Sequence, residues 1–265
     1  LDLAVWHSPD PPVWAQALLR LGAALIMAPG FLPTRLVGIL FFMPALLWRP
    51  EPPQPGAFRL TVLDVGQGLS VVVETRTHRL LYDAGPAFQS GSDTGERVVL
   101  PYLHGRAIRR LDAVVASHGD LDHVGGLKSV LAAMPVTAVL AGPSVRWPGT
   151  LLRHCERGQR WTWDGVVFTV LHPAVADYAG PARPNAMSCV LRITSQPKGP
   201  GTPGRVALLA GDIERPQELR LRAQGVDLRA DVLLVPHHGS RTSSSAEFLD
   251  AVAPGWALVQ AGYRN

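Results

Sequence analysis

The sequence predicts an α/β fold in which two mixed sheets are covered by helices. Hairpin signals come first along the chain, and a later alternation of strands and helices is typical of mixed sheets. Three of the apolar strands also end in polar side chains of the kind that bind metals. With 265 residues, 47% of them apolar, the chain can form one sizeable core plus an appendage.

Residues 1–55 are predicted to form a short apolar segment that associates with a membrane. Arg35 is the one charge between residues 21 and 48, and the run breaks at Pro29, Gly30 and Pro33. Each half is shorter than the ~18 to 20 apolar residues of a spanning helix, so two short helices, one broken membrane helix or a soluble hairpin remain open. The proline-rich linker at residues 51–56 sets the domain boundary between residues 55 and 56.

The remaining domain, residues 56–265, carries the strand and helix signals. Strands are predicted at residues 58–64, 69–75, 78–83, 111–116, 161–169 as a hairpin, 187–194, 205–210, 231–235 and 257–260. Helices are predicted at residues 98–108, 127–133, 218–223 and 246–252. Because the chain starts with Leu1 and the last strand is followed by only a few residues, we expect a fragment of a longer protein with a C-terminally truncated domain.

A dense group of metal-type side chains follows the strand at residues 111–116. Imidazole and carboxylate groups together suit divalent metals, and side chains two apart on an extended segment point the same way. Two later strands also end in such residues, where α/β sheets place ligand sites. The pattern predicts a two-metal hydrolytic site from these residues: His118, Asp120, Asp122, His123, Asp212, His237 and His238.

The order His-x-Asp-x-Asp-His, Gly-Asp and His-His-Gly-Ser resembles that of the metallo-β-lactamase superfamily. Four further motifs, at residues 63–68, 81–86, 99–103 and 117–126, resemble the hydrolase domain of ComEC-type competence proteins. Those proteins are inner-membrane channels for DNA uptake in natural transformation. Over residues 58–265, the resemblance implies an αββα sandwich, preceded here by the short apolar segment.

The resemblance also implies a role for each residue of the predicted metal site. His118 and Asp120 would hold a first metal ion, and Asp122 and His123 a second. Asp212 would bridge the two ions, and His237 would complete the second site, with His238 as the alternative. Asp122, Asp212 and His237 would be the catalytic residues. Since the superfamily usually has His at the position of Asp120, two divalent ions with manganese favoured and zinc possible are expected.

The third histidine motif of the superfamily is not evident in this sequence. His172 is the best candidate for an extra ligand, because it ends a predicted strand, whereas His154 lies in a polar, basic stretch and is expected at the surface. Asn185 and Ser188 resemble an Asn-x-x-Ser element and would supply oxygen ligands or bind a phosphate.

Two carboxylates and a run of hydroxyl groups complete the candidate site. Asp83 is expected to orient a metal ligand, and Asp64 either does the same or satisfies the amides of its own loop. The hydroxyl groups lie before the helix at residues 246–252, where free amides would form a phosphate cradle. Capping of this helix by Ser245 explains the same residues equally well. The cradle would contain Ser240, Ser243 and Ser244.

These expectations favour a metal-dependent DNA nuclease that degrades the strand that is not imported. Its partners would be DNA, the channel portion of the same protein and the DNA-uptake machinery, at the bacterial inner membrane with the hydrolase domain on the extracytoplasmic side. A small-molecule phosphodiesterase and a degenerate DNA-binding or gating domain remain open. The net charge of +4 gives weak support for DNA. Four arginines are expected to contact phosphates: Arg97, Arg106, Arg109 and Arg110.

Cys155 and Cys189 are too few for a disulfide-rich scaffold. One bridge or two free thiols both fit the sequence, so the cysteines do not fix the compartment.

Overall fold

A computed structural model describes residues 9–29, 32–143, 145, 152–180, 183–196 and 204–262. The chain divides into two compact units, Leu1–Glu51 with Pro101–Arg109, and Pro52–Leu100 with Arg110–Asn265. The division lies four residues before the predicted boundary at 55/56. No sequence signal predicted that residues 101–109 belong with the first unit.

The first unit is helical. It contains α1 (Val13–Met27), α2 (Leu32–Leu40), α3 (Met43–Leu47) and all but the first residue of α4 (Leu100–Gly105). Two glycines allow α1 and α2 to pack closely, because a Cβ on Gly22 would lie 2.5 Å from the carbonyl oxygen of Gly38. Trp14 and Trp48 make an edge-to-face contact with ring centroids 6.3 Å apart.

Large apolar side chains of this unit remain exposed, among them Val13, Met27, Leu40 and Leu47. Within the described ranges, no helix has both the length and the apolar character needed to cross a membrane. Gly30, which was predicted to break the apolar run, lies outside the described residues. Membrane association of the segment therefore stays a prediction.

The second unit contains two six-stranded mixed sheets, as predicted. The first sheet has the order β1-β2-β3-β4-β5-β6. Its strands are β1 (Arg59–Val62), β2 (Val71–Glu74), β3 (Arg79–Tyr82), β4 (Ala113–Ala116), β5 (Val139–Ala141) and β6 (Leu152–His154). The β1-β2-β3 pairs are antiparallel, whereas β3 to β6 are parallel, so β3, β4 and β5 end at the same edge.

The second sheet has the order β12-β11-β10-β9-β8-β7. Its strands are β7 (Arg160–Trp163), β8 (Val166–His172), β9 (Val190–Thr194), β10 (Val206–Leu209), β11 (Val232–Leu234) and β12 (Trp256–Leu258). The strands β10, β11 and β12 are parallel, and their carboxyl ends meet at one edge. The helices of this unit are α5 (Leu121–Val124), α6 (Leu127–Ala133), α7 (Arg215–Ala223) and α8 (Ala246–Val252).

The core lies between the two sheets and contains apolar side chains from both, including Val71, Leu80, Phe168 and Leu209. Cys155, after β6, and Cys189, before β9, form a disulfide within this core. A second cluster, which includes Leu221 and Phe248, packs α7 and α8 against the outer face of the second sheet. The structure thus decides between the two cysteine states that the sequence left open.

Most predicted elements are present, with some corrections. The sequence analysis missed β5 and β6, which have only three residues each, and the short helix α5. The helix predicted at residues 98–108 begins earlier, with a π-helical turn at Gly95–Val99, and α4 ends at Gly105. Ala107 adopts a left-handed conformation and the amide of Ile108 bonds to the carbonyl of Leu103, which ends the helix.

Candidate metal centre

The strand ends predicted to carry metal-type residues do meet in space. The segment after β4 carries His118 to His123, the turn after β10 carries Asp212, and the turn after β11 carries His238. The amide of Cys189, just before β9, bonds to the carbonyl of Ser117, which ties the second sheet to the metal-ligand segment.

Four side chains form the tightest cluster: Asp122, His123, Asp212 and His238, whose ligand atoms all lie within 4.8 Å of one another. The Nε2 atoms of His123 and His238 are 3.2 Å apart. Asp212 Oδ2 lies 3.2 Å from His123 Nε2 and 3.5 Å from His238 Nε2. Asp122 Oδ2 lies 3.2 Å from His238 Nε2 and 3.8 Å from His123 Nε2.

These separations are the ones that a bound divalent ion needs. With metal–ligand bonds of ~2.0 to 2.1 Å, the vertices of a tetrahedron are about 3.3 Å apart. The five separations given above, from 3.2 to 3.8 Å, lie around that value. The set of two imidazoles and two carboxylates therefore fits a divalent metal ion in both chemistry and spacing.

A second, looser group also includes Asp212. His118 is fully buried, and its Nε2 lies 3.6 Å from Asp120 Oδ2 and 3.9 Å from Asp212 Oδ2. This Nε2 has no hydrogen-bond partner among the described residues. A buried nitrogen without a partner is costly unless a ligand satisfies it. One Asp212 oxygen thus faces three histidines, as expected of a bridging ligand, although the ligand roles themselves stay predictions.

Buried partners fix the orientation of His118 and His123. Asp83 is buried, and its Oδ2 lies 2.8 Å from His123 Nδ1. Asp83 also accepts hydrogen bonds from the amide and the hydroxyl of Ser117, and that hydroxyl lies 3.0 Å from His118 Nδ1. Both rings therefore direct Nε2 toward Asp212. These contacts agree with the orienting role predicted for Asp83, which stays a prediction. The contribution of Ser117 was missed, although it directly precedes His118.

His238 is held by a residue that the sequence analysis did not identify. Its Nδ1 lies 2.8 Å from the main-chain oxygen of Gln260. The side chain of Gln260 is buried, donates to the carbonyl of Leu63 and accepts from the amide of Ser70. Gln260 is distant from both partners in sequence, so no local signal could have found it.

The charges of the cluster depend on one another. Burial and the nearby His123 lower the pKa of His118 to about 4, so His118 is neutral, as a ligand must be. Burial alone would lower the pKa of His123, but Asp83 and Asp212 raise it to about 10. Burial alone would raise the pKa of Asp212, but the bond and charge of His123 lower it. In the metal-free cluster a proton on His123 therefore balances the buried carboxylate, and a divalent ion would replace that proton at Nε2, since a ligating imidazole is neutral.

The sequence predicted His237 as the ligand that completes the second metal site, with His238 as the alternative. The structure favours His238. Both residues adopt left-handed conformations, with φ of 52° and 54°, and their rings diverge. His237 Nε2 lies 3.3 Å from Asn185 Nδ2, and its Nδ1 lies 3.2 Å from the hydroxyl of Thr242, which donates to Glu214. His237 thus belongs to a polar group with Asn185, away from the ligand cluster.

Gly211 explains how the chain delivers Asp212 to the cluster. Its φ is +57°, and a Cβ there would lie 2.9 Å from Ser188 Cβ and 3.2 Å from Ser117 Cβ. The turn therefore requires glycine. Ser188 is buried, and its hydroxyl accepts the amide of Asp212 and lies 3.4 Å from His118 Nδ1. The Ser188 hydroxyl therefore contacts the residues of the cluster. This geometry favours a supporting role for Ser188 over the predicted contact with substrate.

Two further predictions are corrected by geometry. His172 bonds through Nε2 to the carbonyl of Ala186 at 2.8 Å, so it is not part of the cluster. Asp64 is exposed and accepts the amide of Gly66 at 3.2 Å. The alternative reading of Asp64, a carboxylate that satisfies its own loop, therefore describes it better than an orienting role at the metal centre.

The predicted phosphate cradle before α8 is already filled. Glu218 on α7 is buried, and its carboxylate accepts the amides of Ser244 at 2.6 Å and Ser245 at 2.8 Å. The hydroxyl of Ser243 donates to the carbonyls of Pro236 and Ser240. A phosphate would have to displace a buried carboxylate, so Ser243 and Ser244 have structural contacts here, and Ser240 stays half-buried beside Thr242.

The comparisons with known proteins agree with this fold and site. Residues 63–192 match the family model of the metallo-β-lactamase superfamily. Among solved structures, the metallo-β-lactamase fold protein YhfI from Bacillus subtilis superposes with a TM-score of 0.50 at 15% identity, covering 78% of this chain and 88% of that one. The domain therefore has the metallo-β-lactamase fold. This fold and the site together define a metal-dependent hydrolase.

The homologues of this chain include ComEC-type competence proteins. It is 35% identical to Competence protein ComA of Neisseria gonorrhoeae over 274 residues, which is 100% of this chain and 37% of that protein. It is 32% identical to Recombination protein 2 of Haemophilus influenzae, over 78% of this chain and 25% of that protein. The chain thus spans about a third of the length of these curated relatives, or less.

Proposed function

We propose that the protein is a metal-dependent nuclease that hydrolyses DNA phosphodiesters and degrades the strand that is not imported during DNA uptake. The observation that carries the proposal is the convergence of three histidine Nε2 atoms on Oδ2 of Asp212, within 3.2 to 3.9 Å. The names of the relatives supply the link to competence and recombination. DNA, the channel portion of a longer protein and the uptake machinery would be its partners.

Two divalent ions, one held by His118, Asp120 and Asp212 and one by the four-residue cluster, would polarise the phosphodiester and activate water. The residues around them supply orientation. Asp83 and the main chain of Gln260 hold the imidazoles with Nε2 toward the reaction centre.

The polar group beside the metal centre can position the substrate. Its hydrogen bonds have one consistent direction. The amide of Asn185 donates to His237 Nε2, His237 Nδ1 donates to Thr242, and the Thr242 hydroxyl donates to Glu214. This chain fixes the amide plane of Asn185, whose other amide hydrogen can bond to a phosphate oxygen.

The disulfide supports a position on the extracytoplasmic side of the inner membrane. Disulfides form and persist in oxidising compartments and are rare in the cytosol. Cys155 and Cys189 are buried between the sheets, so their bond is structural rather than exposed. Acid quenching of intact cells and alkylation of the unfolded protein in denaturant, followed by mass measurement, should find no free thiol. Two reactive thiols before any reductant is added would place the domain on the other side.

The central experiment compares DNA with a small diester. Protein stripped by a chelator and reloaded with manganese should hydrolyse single- or double-stranded DNA and bis(p-nitrophenyl) phosphate. Asp212→Ala should abolish both activities and retain the fold, whereas His154→Ala, an exposed residue outside the cluster, should match the wild type. Hydrolysis of the small diester alone would favour a small-molecule phosphodiesterase. DNA binding without hydrolysis by any metal form would favour a degenerate binding or gating domain.

A further inference from the structure

A cavity of about 470 Å³ lies between the β1–β2 loop and the loop that follows Pro86. Its walls include Asp64, Gly66 and Gln67 from the first loop and Phe88 and Arg97 from the second. All of these residues belong to the second unit. The volume is within the ~300 to 1,000 Å³ of typical small-ligand pockets. Residues of the motif at 63–68 form one wall of this cavity. The proposed chemistry at the metal centre does not explain that motif.

The loop that forms one wall of the cavity continues into residues that contact the metal-ligand segment. The amide of Leu69 bonds to the carbonyl of Asp122 at 3.1 Å. A Cβ on Gly68 would lie 2.4 Å from that carbonyl and 2.8 Å from Cδ of Pro86, so the loops and the segment are in direct main-chain contact. The loop beside the cavity is therefore held against the segment that carries the predicted metal ligands.

The second loop is fixed in place without a ligand. The hydroxyl of Thr94 donates to the carbonyls of Ala84 at 2.6 Å and Pro86 at 3.0 Å. A Cβ on Gly95 would lie 2.0 Å from the carbonyl of Gly126, so the loop packs on the segment before α6 at a distance that only glycine allows. The cavity is preformed, which lowers the cost of binding.

The chemistry of the walls fits a nucleotide. Phe88 is 39% exposed and Arg97 is exposed, with its guanidinium 5.2 Å from the centre of the Phe88 ring. An aromatic face combined with a cation is the usual means of holding single-stranded DNA. Gln67 Oε1 already accepts the amide of Gly262, so its amino group can donate to a base edge, and the exposed Asp64 carboxylate can accept from one.

We propose that this cavity binds an unpaired nucleotide of DNA beside the metal-ligand segment, with the base against Phe88 and a phosphate on Arg97. The inference rests on the proposed function and adds a substrate class, single-stranded DNA, because a base stacked in a duplex has no free face for Phe88.

The test measures DNA affinity without cleavage. Fluorescence anisotropy in the presence of a chelator compares a labelled oligothymidylate with an abasic oligomer of the same length. Wild type should prefer the oligothymidylate. Phe88→Ala should weaken its binding about 10-fold and abolish the preference. Arg97→Ala should weaken binding of both oligomers and lower the log–log salt dependence by ~0.7.

Matched controls are available in the chain. Gln89→Ala changes the exposed neighbour of Phe88, which does not line the cavity. Arg76→Ala changes an exposed arginine in the β2–β3 turn, at the opposite end of those strands. Both should bind like the wild type. Equal affinities of Phe88→Ala and Gln89→Ala, or of Arg97→Ala and Arg76→Ala, would overturn the inference.

Nuclease assays with manganese separate this inference from the function on which it rests. Phe88→Ala should raise KM for single-stranded DNA and leave bis(p-nitrophenyl) phosphate hydrolysis unchanged. If the wild type cleaves no DNA but the affinity differences persist, the pocket stands and the nuclease proposal fails. If the wild type cleaves DNA and the variants bind and cleave it equally well, the nuclease proposal stands and the pocket fails.

Discussion

Asp83→Asn tests how the buried carboxylate controls the metal centre. Asp83 contacts His123 Nδ1 at 2.8 Å and accepts the amide and hydroxyl of Ser117 at 2.7 and 2.6 Å. The amide of an asparagine has nearly the same shape, and its oxygen can still accept from Ser117. Its amino group, however, would face the N–H of His123. To avoid two opposed donors, the proton of His123 must move to Nε2, the atom needed as a ligand.

The size of the effect follows from the bond that is lost. A hydrogen bond to a charged group contributes ~1.5 to 3 kcal/mol. Since about 1.4 kcal/mol corresponds to a tenfold change, affinity for a divalent ion should fall ~10- to 100-fold, the range typical of residues that support metal ligands. Because both side chains are fully buried, solvent cannot replace the lost acceptor.

Isothermal titration of chelator-stripped protein with manganese or zinc measures this change, and elemental analysis after gel filtration checks it. Asp112→Asn is a matched control, because Asp112 directly precedes β4, lies at the opposite end of that strand from Ser117, and accepts the amide of Arg79 at 2.8 Å. The control should bind metal like the wild type. Undiminished affinity in a folded Asp83→Asn variant would refute the argument that Asp83 orients His123.

Three further outcomes are expected. With a carboxylate at Asp120, hydrolysis should be faster with manganese than with zinc, and restoration of stripped protein by zinc alone would contradict this. Glu218→Gln should lower the free energy of unfolding in urea by ~1 to 3 kcal/mol, because one of the amides of Ser244 and Ser245 loses its acceptor. Glu247→Gln, at a half-buried position on α8, should not, and equal urea midpoints of the two variants would show that Glu218 does not hold these amides. Despite burial, hydrogen bonds lower the pKa of Asp164 in the folded state, so the stability it adds is complete above the unfolded pKa of ~3.9 and declines as the pH falls below it. Asp164→Asn should therefore reduce stability at pH 7 by urea titration but much less at pH 2, and a pH-independent difference would count against this.

The sequence determined the class of the fold through signals that act over short distances. The hairpin of β7 and β8 turns at Asp164 and Gly165, which both have positive φ, and such turns are local. The helices α6 and α8 have the predicted bounds because their apolar spacing and ends are also local. Strands β5 and β6 were missed because three residues carry no measurable alternation. Their parallel partners lie far away in the sequence.

The densest part of the metal centre was determined by the sequence itself. His118, Asp120, Asp122 and His123 lie on one short segment after a buried strand, so their proximity needs little tertiary information. The Gly-Asp pair at residues 211–212 and the histidines after β11 lie at one edge because β10 and β11 are parallel strands of the same sheet.

Only the tertiary structure decided which groups complete that centre. Left-handed conformations at His237 and His238 send one ring into the cluster and the other toward Asn185. The amides before α8 are held by Glu218, 26 residues away from Ser244. Gln260 reaches Ser70 across 190 residues. Each of these outcomes depends on the directions in which distant segments meet, and a one-dimensional pattern of residue types does not contain those directions.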